Sequence, residues 1–418
     1  MNIQSAKKSI TPLSVVIPDD LIAKVLSFLP VKSLVRFRYV TKYWKTLISD
    51  PTLVKLHLNR SASRNPLFTL VTRHVKTDDN DSGGGLYLGL ENMDHSVVPY
   101  SLNHLIENPS FNLVVNPYYH LNYEDKDCSR MVGSCNGLIL LVGSLLSFEF
   151  FCLWNPATMT TSPSLGYFSH GIPSSNAGNN FPFLDDYNFS FGCDNSTGTY
   201  KIVASNYNTQ QQRTNVRILS FCHNNAWREI QCFPIVPILM ALAGEIDVDD
   251  DDALYYDSSV YLSSTLNWLA IHNHSHYHNF NFKDITLDKY VIVSLHLGTE
   301  TYNQYRLPRG DFDDEAPPMF STVAVLGGFL CCSYFYKETD FLIWQMKEFG
   351  VDDSWTRFLK ISYRNLQIDY NYIRDQGFND DEADYHFQLF PLLLSEDEDT
   401  LVLQTNHDIN INTRRPAW

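Results

Sequence analysis

The chain has 418 residues, which is enough for one large domain with a sizeable hydrophobic core and a second, small domain. With 44% hydrophobic and 14% aromatic residues, its composition is that of a globular protein rich in β-strands. The formal net charge of −16 argues against a general affinity for phosphate backbones, so we predict no nucleic-acid partner.

Cysteine usage and hydrophobicity predict a protein of the cytoplasm or the nucleus. The eight cysteines form no CxxC pair and are expected to be reduced thiols. Residues 1–16 are expected to be a flexible leader. They are not expected to be a signal peptide, because the apolar stretch after Lys7 and Lys8 is too short for its core. The longest apolar runs, at 138–146 and 233–243, are shorter than the ~20 residues that span a bilayer, so we predict no membrane association.

The pattern of residues 17–58 predicts a small helical domain. Its first helix begins at Pro18, Asp19 and Asp20, which supply a ring-fixed φ and negative charge at the positive end of the helix dipole, and Pro30 ends it. The apolar residues of this helix fall at helical spacing: Leu21, Ile22, Val25, Leu26 and Leu29.

Two further short helices are predicted after Pro30. Ser33 is expected to cap the second helix and Thr41 the third, which Asp50-Pro51 closes. Three helices of this length bury little surface, and the segment has no cysteine and no metal-ligand spacing. We therefore expect a partner protein to cover some of the apolar side chains, which in these two helices are Leu34, Phe37, Val40, Tyr43, Trp44, Leu47 and Ile48.

Positive charge is concentrated in the same part of the chain. Ten Lys or Arg residues and one acidic residue lie between Leu21 and Arg73, a net charge of +9, whereas the chain that follows is strongly acidic. Such a basic segment suits either nucleic acid or an acidic protein partner.

The helical segment resembles an F-box, and specifically its plant version. The motifs that carry the resemblance are Ile17-Pro18, Leu29-Pro30-Val31-Lys32-Ser33-Leu34, Arg36-Phe37-Arg38, Trp44 and Ile48-Ser49-Asp50-Pro51. The departures from the family pattern, at residues 17, 39 and 41, are mild.

The resemblance implies binding to the Skp-type adaptor of an SCF ubiquitin ligase, and through it to a cullin and a RING subunit. For each candidate residue, packing within the helical core is the alternative interpretation. The residues expected to face the adaptor or to shape the interface are Ile17, Pro18, Leu21, Ile22, Val25, Leu29, Pro30, Leu34 and Trp44.

After residue 58, short β-rich runs replace the helical periodicity. Units of about four strands recur from residue 133, and their anchors Leu138, Ile202, Leu266 and Phe329 lie 64, 64 and 63 residues apart. The repeat predicts the blades of a β-propeller, with an irregular β-sandwich as the alternative. The predicted strands are 66–73, 138–142, 150–154, 188–193, 200–204, 216–221, 226–230, 260–271, 290–297, 302–307, 321–336, 341–346, 355–361 and 401–404.

This β-rich region resembles the plant F-box-associated, kelch-like domain. The motifs in question are GSCNGLI at 133–139, LWNPAT at 153–158, FGCD at 191–194, YKIV at 200–203, VYL through LNWLA at 260–270 and IVSLHLGTE at 292–300. The resemblance implies an α+β multidomain protein, with a three-helix F-box at 17–60 and an all-β, kelch-like β-propeller domain at 61–418. We expect its last blade to be short, or completed by residues from 61–100.

One of these motifs also fits a nucleophile elbow. In Gly133-Ser134-Cys135-Asn136-Gly137 the central cysteine would be the nucleophile. An elbow needs a helix after its turn, whereas residues 138–142 predict a strand. We therefore interpret the motif as a turn between strands, in which glycine takes a positive φ.

Other polar clusters have structural alternatives. His272, His274, His276 and His278 alternate and could ligate zinc or nickel from one strand face, but their segment is polar and is predicted to be an exposed loop. The acidic run 247–252 lacks the glycine and glutamate of a calcium loop, and we interpret the Arg-Gly-Asp at 309–311 as a turn. We predict no catalytic residues, no metal site and no cofactor. The tryptophans at 154, 227, 268, 344 and 355 are expected in core and inter-blade packing.

The sequence therefore predicts a non-catalytic substrate receptor of an SCF ubiquitin ligase, whose β-domain binds an unidentified target protein. The target is expected on long polar loops at 166–187, 244–258, 272–284 and 309–318. Two alternatives remain: an F-box scaffold or S-locus-type recognition protein that does not direct degradation, and a metal- or glycan-binding propeller.

Overall fold

The chain forms two compact units that divide near residue 68, helical in the first and β-stranded in the second. The computed structural model describes residues 17–64, 69–76, 94–101, 119–120, 122–123, 126–127, 130–145, 148–169, 187–208, 211, 213–221, 226–237, 259–272, 287–308, 319–336, 340–362, 365, 389–394 and 400–405.

The described part of the first unit consists of α1 (Asp19–Leu26), α2 (Val31–Phe37), α3 (Lys42–Ile48) and α4 (Pro51–Arg64). The three predicted helices are confirmed. Helix α1 follows Pro18 and carries Asp19 and Asp20 in its first turn, where their charge complements the helix dipole. Thr41 caps α3, because its hydroxyl oxygen accepts a hydrogen bond from the Trp44 backbone N–H at 3.1 Å.

Two details of the helix prediction were wrong. Ser33 does not cap α2, which begins directly after Pro30 and has no side-chain cap. Asp50-Pro51 does not merely close α3 but also begins a fourth helix. The Asp50 carboxylate accepts a hydrogen bond from the Thr52 N–H at 2.7 Å, and Pro51 occupies the first helical position, where a missing N–H costs nothing.

The second unit is built from short strands along the chain. Those in the described residues are β1 (Thr69–Lys76), β2 (Asp94–Ser101), β3 (Tyr119–His120), β4 (Asn122–Tyr123), β5 (Lys126–Asp127), β6 (Arg130–Cys135), β7 (Leu138–Leu145), β8 (Phe148–Asn155), β9 (Thr160–Thr161), β10 (Tyr167–Ser169), β11 (Asn188–Asp194), β12 (Thr199–Asn208), β13 (Arg213–Ser220), β14 (Arg228–Glu229), β15 (Ile235–Pro237), β16 (Ser259–Leu262), β17 (Thr265–His272), β18 (Tyr290–His296), β19 (Thr301–Arg306), β20 (Met319–Leu326), β21 (Phe329–Tyr336), β22 (Asp340–Met346), β23 (Trp355–Ser362), β24 (Leu389–Leu394) and β25 (Leu401–Thr405).

These strands pair into successive antiparallel sheets, the arrangement of a β-propeller. The orders are β10-β8-β7-β6 with β9 beside β8, β11-β12-β13-β14, β15-β17-β18-β19 with β16 beside β17, and β20-β21-β22-β23. The four anchor residues predicted from the 64-residue repeat lie in β7, β12, β17 and β21. Each of these strands is next to an edge strand of its sheet. The repeat in the sequence is therefore a repeat in the structure.

Smaller sheets lie at both ends of the β-unit. Strands β1, β2 and β3 form one sheet, β4 and β5 a second, and β24 and β25 a third. Because β1 pairs with β2 and β2 pairs with β3, the described strands of 61–100 do not complete the sheet of β24 and β25.

The hydrophobic cores of the β-unit lie between neighbouring sheets. In β12, Ile202 and Ala204 pack toward the β6–β10 sheet, whereas Val203 packs toward the β15–β19 sheet. Alternate residues of a strand point to opposite faces, so each inner strand contributes to two cores at once. This is why strands such as β11 and β18 are buried along nearly their whole length, while the outermost strand β19 is mostly exposed.

Two predicted single strands are in fact hairpins. Residues 260–271 contain β16 and β17, joined by Ser263-Ser264 with φ of +46° and +69°. Residues 321–336 contain β20 and β21, joined by Gly327-Gly328 with φ of +57° and +80°. Two-residue turns with positive φ match the twist of paired strands, and serine is an uncommon residue in that conformation.

Tryptophans occupy core and inter-sheet positions, as predicted. Trp154, Trp268 and Trp344 are buried. The Trp227 indole N–H donates to the Tyr167 carbonyl of the preceding sheet at 2.9 Å, and the Trp355 indole donates to the carbonyl of residue 306 in the same way at 3.0 Å. Trp227 and Trp355 are 128 residues apart, twice the repeat length, so they serve equivalent positions in two sheets.

A polar seam joins the β11–β14 sheet to the β15–β19 sheet, and residues of several F-box-associated motifs meet there. The Tyr261 hydroxyl donates to the Cys193 carbonyl at 2.9 Å and lies 3.0 Å from the Asn195 side-chain oxygen. The Asn195 backbone N–H in turn donates to the Ser264 hydroxyl at 2.9 Å. The seam is thus fixed by hydrogen bonds from side chains that are far apart in sequence.

Charged groups strengthen the same seam. The Lys201 ammonium lies 2.7 Å from the Glu300 carboxylate and also donates to the Leu297 carbonyl, and Arg228 pairs with the same carboxylate. Burial raises the pKa of Glu300, but the hydrogen bonds from Arg228 and Lys201 outweigh it, so the net pKa lies below the ordinary value. The carboxylate therefore stays charged where the two sheets meet.

We predict that Asp194 stabilises this seam in a pH-dependent way. Hydrogen bonds from Ser196 and Thr197 hold the pKa of the buried Asp194 carboxyl at about 2, against the desolvation that would raise it. Since the pKa in the unfolded chain is about 3.9, the stabilisation is complete above that value and is lost as the pH falls through about 2. Asp194→Asn should therefore lower the free energy of unfolding by about 1–2 kcal/mol at pH 7 and by less at pH 3.

Thermal unfolding at the two pH values measures this difference. Asp353→Asn is the matched control, because Asp353 is an exposed aspartate outside the seam. An equal loss of stability at pH 7 and pH 3 for Asp194→Asn would contradict the prediction.

We also predict that the seam requires glycine at residue 192. A Cβ at this position would lie 2.6 Å from Leu297 Cδ1 and 2.7 Å from Tyr261 Cδ2, both closer than packed carbon atoms approach. Gly192→Ala should destabilise the β-unit by about 1–3 kcal/mol through overpacking. In urea unfolding the cost should be smaller in a Leu297→Val background, which removes one of the two clashing groups. Equal costs in the two backgrounds would show that the clash is not the cause.

Candidate functional site

Helix α1 has apolar side chains on two faces, which is unusual for a helix at the surface of a small domain. Three side chains at i, i+4 and i+7 belong to the core of the helical unit: Ile22, Leu26 and Leu29. Three others, one position earlier in each case, have exposed fractions of 47%, 64% and 49%: Leu21, Val25 and Phe28. We call this second set the outer face of α1, and it includes Phe28, which lies in the turn directly after the helix.

The core of the helical unit is small. Among the side chains that the structure describes, each helix contributes one fully buried hydrophobic residue, and the four are Leu26, Leu34, Ile48 and Leu53. Half-buried side chains that include Trp44 surround them, and the Trp44 ring lies 5.6 Å from the Phe37 ring. A core of this size leaves little stability in reserve, as expected of a domain that is completed by a partner.

Exposed apolar side chains are concentrated in this unit. Among the described residues, the β-unit exposes four large hydrophobic side chains, at residues 167, 349, 351 and 392. The much smaller helical unit exposes nine, and such a concentration marks an interaction surface. They are Ile17, Leu21, Val25, Phe28, Phe37, Tyr39, Val40, Tyr43 and Val54.

The nine predicted interface residues divide by burial into three groups. Leu34 is buried, so it can shape the interface only from within the core. Ile22, Leu29 and Trp44 are half-buried and pack against that core. The remaining five are exposed: Ile17, Pro18, Leu21, Val25 and Pro30. Their contact with an adaptor stays a prediction.

Sequence reasoning missed part of the exposed apolar surface. Phe28 continues the spacing of Leu21 and Val25, so helical periodicity could have identified it. Tyr39, exposed by 87%, lies between α2 and α3, where periodicity gives no guidance. Val40 was predicted in the second helix, but it lies after the end of α2 and is 61% exposed.

Positive charge accompanies the apolar surface. The lysine and arginine side chains from α1 to the first turns of α4 are all exposed: Lys24, Lys32, Arg36, Arg38, Lys42, Lys45 and Lys55. Asp19, one of the few acidic residues here, accepts a hydrogen bond from the Tyr43 hydroxyl and so links α1 to α3. The surface thus combines apolar contacts with a basic surrounding, which suits an acidic protein surface.

The possible nucleophile elbow is a hairpin turn. Asn136 and Gly137 take φ of +53° and +76° and join β6 to β7, so a strand follows the turn, as predicted. Cys135 is buried, and desolvation together with the neighbouring Cys193 raises its pKa to about 12. A thiol with this pKa is neutral at physiological pH and is a poor nucleophile.

The other candidate chemical groups are described only in part. Of the alternating histidines, His272 ends β17, and His274, His276 and His278 lie outside the described residues, as do the acidic run 247–252 and the Arg-Gly-Asp at 309–311. Within the described ranges, His, Cys, Asp and Glu side chains form no group of three or more that could hold a metal ion. The six cysteines of those ranges form no disulfide.

The loops expected to bind a target also fall largely outside the described residues. Of 166–187, only 166–169 and 187 are described, and of 272–284 only His272. Residues 244–258 and 309–318 lie outside entirely. In the part of the chain that the structure covers, no helix has the length and apolar character needed to cross a membrane.

Comparison with known proteins places both units in families. Residues 16–56 match the F-box domain, and residues 88–390 match the F-box associated beta propeller domain. An F-box/kelch-repeat protein of Arabidopsis thaliana is 25% identical over 82% of this chain and 79% of its own length. An F-box protein of the same plant is 26% identical over 81% of this chain and 89% of its own length.

A solved structure with a related architecture is the β-propeller domain of Nup133 from Vanderwaltozyma polyspora. It is 12% identical, with a TM-score of 0.30 over 74% of this chain and 75% of that one, a likeness too loose to carry an argument. The family matches are sufficient, because the propeller match alone covers well over half of the chain. The chain belongs to the plant F-box proteins that carry an F-box associated beta-propeller domain.

Proposed function

We propose that this chain is the substrate-recognition subunit of an SCF ubiquitin ligase. The F-box docks on a Skp-type adaptor, and the β-domain binds the target protein. The observation that carries the proposal is the outer face of α1, because Leu21, Val25 and Phe28 leave apolar surface in water that a protein partner would bury.

Electrostatics supports the same kind of partner. The exposed lysines and arginines around the outer face favour an acidic adaptor surface and would speed its association. Buried apolar anchors would then supply most of the binding energy, as is general for protein interfaces.

In this role the chain accelerates ubiquitin transfer without a catalytic group of its own. Through the adaptor it joins a cullin and a RING subunit, and the β-domain holds a lysine of the target near the charged ubiquitin-conjugating enzyme. The rate gain arises from effective concentration and orientation. We place this activity in the cytoplasm or the nucleus.

We expect a substitution on the outer face of α1 to prevent adaptor binding while the fold persists. Val25→Asp puts a charge at a position that is 64% exposed, so the free chain tolerates it, whereas an interface would have to desolvate it. Affinity for a purified Skp-type adaptor should fall about 30-fold or more, as measured by isothermal titration calorimetry.

The matched control is Val351→Asp, the same change at a 38% exposed valine of the β-unit. The control variant should bind as the natural chain does. Equal affinity of all three proteins, or equal loss in both variants, would count against the proposal.

The same variant separates the target from the ligase. In affinity purification with the proteasome blocked, partners retained by Val25→Asp are target candidates, and partners lost are ligase subunits. A cullin in the lost set, together with a target that accumulates under the block, is expected of a degradative receptor. A retained partner that never accumulates would instead indicate a non-degradative scaffold.

A further inference from the structure

Helix α4 extends eight residues beyond the matched F-box segment, and its second half reaches back to the end of α1. The His57 Nε2 lies 2.9 Å from the Leu29 carbonyl oxygen, and the Arg60 guanidinium donates to the Lys24 carbonyl oxygen at 3.0 Å. Because a carbonyl oxygen only accepts, His57 must carry its proton on Nε2. Both contacts end on backbone oxygens at or just after the last turn of α1.

These contacts provide hydrogen-bond partners for backbone carbonyl oxygens at the C-terminal end of a helix. The last carbonyls of a helix have no partner within it, and a positive charge beside them is favourable for the helix dipole. Arg60 also donates to the Ser27 hydroxyl at 2.6 Å, and this hydroxyl donates to the Lys24 carbonyl at 2.7 Å. Ser27 is buried, so Arg60 closes a compact hydrogen-bonded end to α1.

Arg60 also contacts the outer face of α1. Its guanidinium carbon lies 4.1 Å from the centre of the Phe28 ring, which is within the range of a cation–π interaction. The ring nevertheless remains 49% exposed. Arg60 thus restricts the ring without covering it. It also bonds the Ser27 hydroxyl on one side of Phe28, while His57 bonds the Leu29 carbonyl on the other side.

We propose that Arg60 is a positioning residue for adaptor binding, which fixes the last turn of α1 and presents the Phe28 ring to the adaptor. This inference rests on the proposed function and extends the binding module beyond residue 56 to α4. The role requires arginine in particular, because its Nη1 donates to two oxygen atoms while the flat face of the guanidinium lies on an aromatic ring.

The test measures the affinity of full-length variants for a purified Skp-type adaptor by calorimetry. Arg60→Ala should weaken binding about tenfold, because the ring and the helix end are no longer fixed before binding. Arg60→Lys should also weaken binding, since lysine keeps the charge but lacks the planar guanidinium that lies on the Phe28 ring. Lys55→Ala is the matched control, because it removes an exposed positive charge from the same helix.

A double-mutant cycle with Phe28→Ala separates presentation of the ring from a general loss of structure. If Arg60 acts through Phe28, Arg60→Ala should change the affinity by less than about twofold in the Phe28→Ala background. A loss that stays tenfold in that background would overturn the proposal. So would wild-type affinity of Arg60→Ala, or an equal loss in Lys55→Ala.

Hydrogen exchange of the free chain gives a readout that does not depend on the adaptor. Arg60→Ala should speed amide exchange in peptides that cover residues 24–29, with no change in peptides that cover β11 and β12, whereas unchanged exchange at 24–29 would overturn the proposal. If Arg60→Ala fails to fold, Arg60→Lys carries both measurements. If the natural chain does not bind the adaptor at all, the proposed function fails, and this outcome is distinct from wild-type binding that persists in the Arg60 variants.

Discussion

Helix α1 has two apolar faces, and within the described residues only one of them is covered. Ile22, Leu26 and Leu29 belong to a core to which each helix adds one fully buried side chain among those described, whereas Leu21 and Val25 are exposed. The β-unit also has elements that are apolar on two faces, but it buries both faces. Its inner strands are apolar on both faces, but neighbouring sheets bury both. The chain thus contains a β-unit that buries its apolar faces between its own sheets and a helical unit with an exposed apolar face, which is typical of an interaction surface.

The β-unit owes part of its cohesion to polar contacts between sheets. Residues of several separate motifs, among them Lys201, Tyr261 and Glu300, converge on one seam and hydrogen-bond across it. Gly192 is part of the same seam, where a neighbouring tyrosine and leucine leave no room for a side chain. The motifs through which this region resembles its family are therefore, in part, contacts that hold two blades together.

Local signals in the sequence predicted α1, the Thr41 cap of α3 and the 64-residue repeat of the sheets. They failed where the decisive contact is distant or the usual residue is absent. The Ser263-Ser264 turn lacks the glycine or asparagine that marks a tight hairpin, so two strands were predicted as one. Helix α4 was missed although Asp50-Pro51 is a good helix start. For the candidate site, the family motifs identified the helices. Only the folded structure shows that Leu34 is buried while Val25 is exposed, and that Arg60 lies against Phe28.

Amide hydrogen exchange of the full-length chain, with and without a saturating Skp-type adaptor, tests the central claim most directly. The account predicts adaptor-dependent protection in peptides covering residues 17–40, which include the outer face of α1 and the exposed Tyr39 and Val40. Peptides of β11, β12 and β18, which neighbouring sheets already bury, should exchange equally slowly in both samples. If residues 17–40 exchange at the same rate with and without the adaptor, the outer face of α1 is not its binding surface.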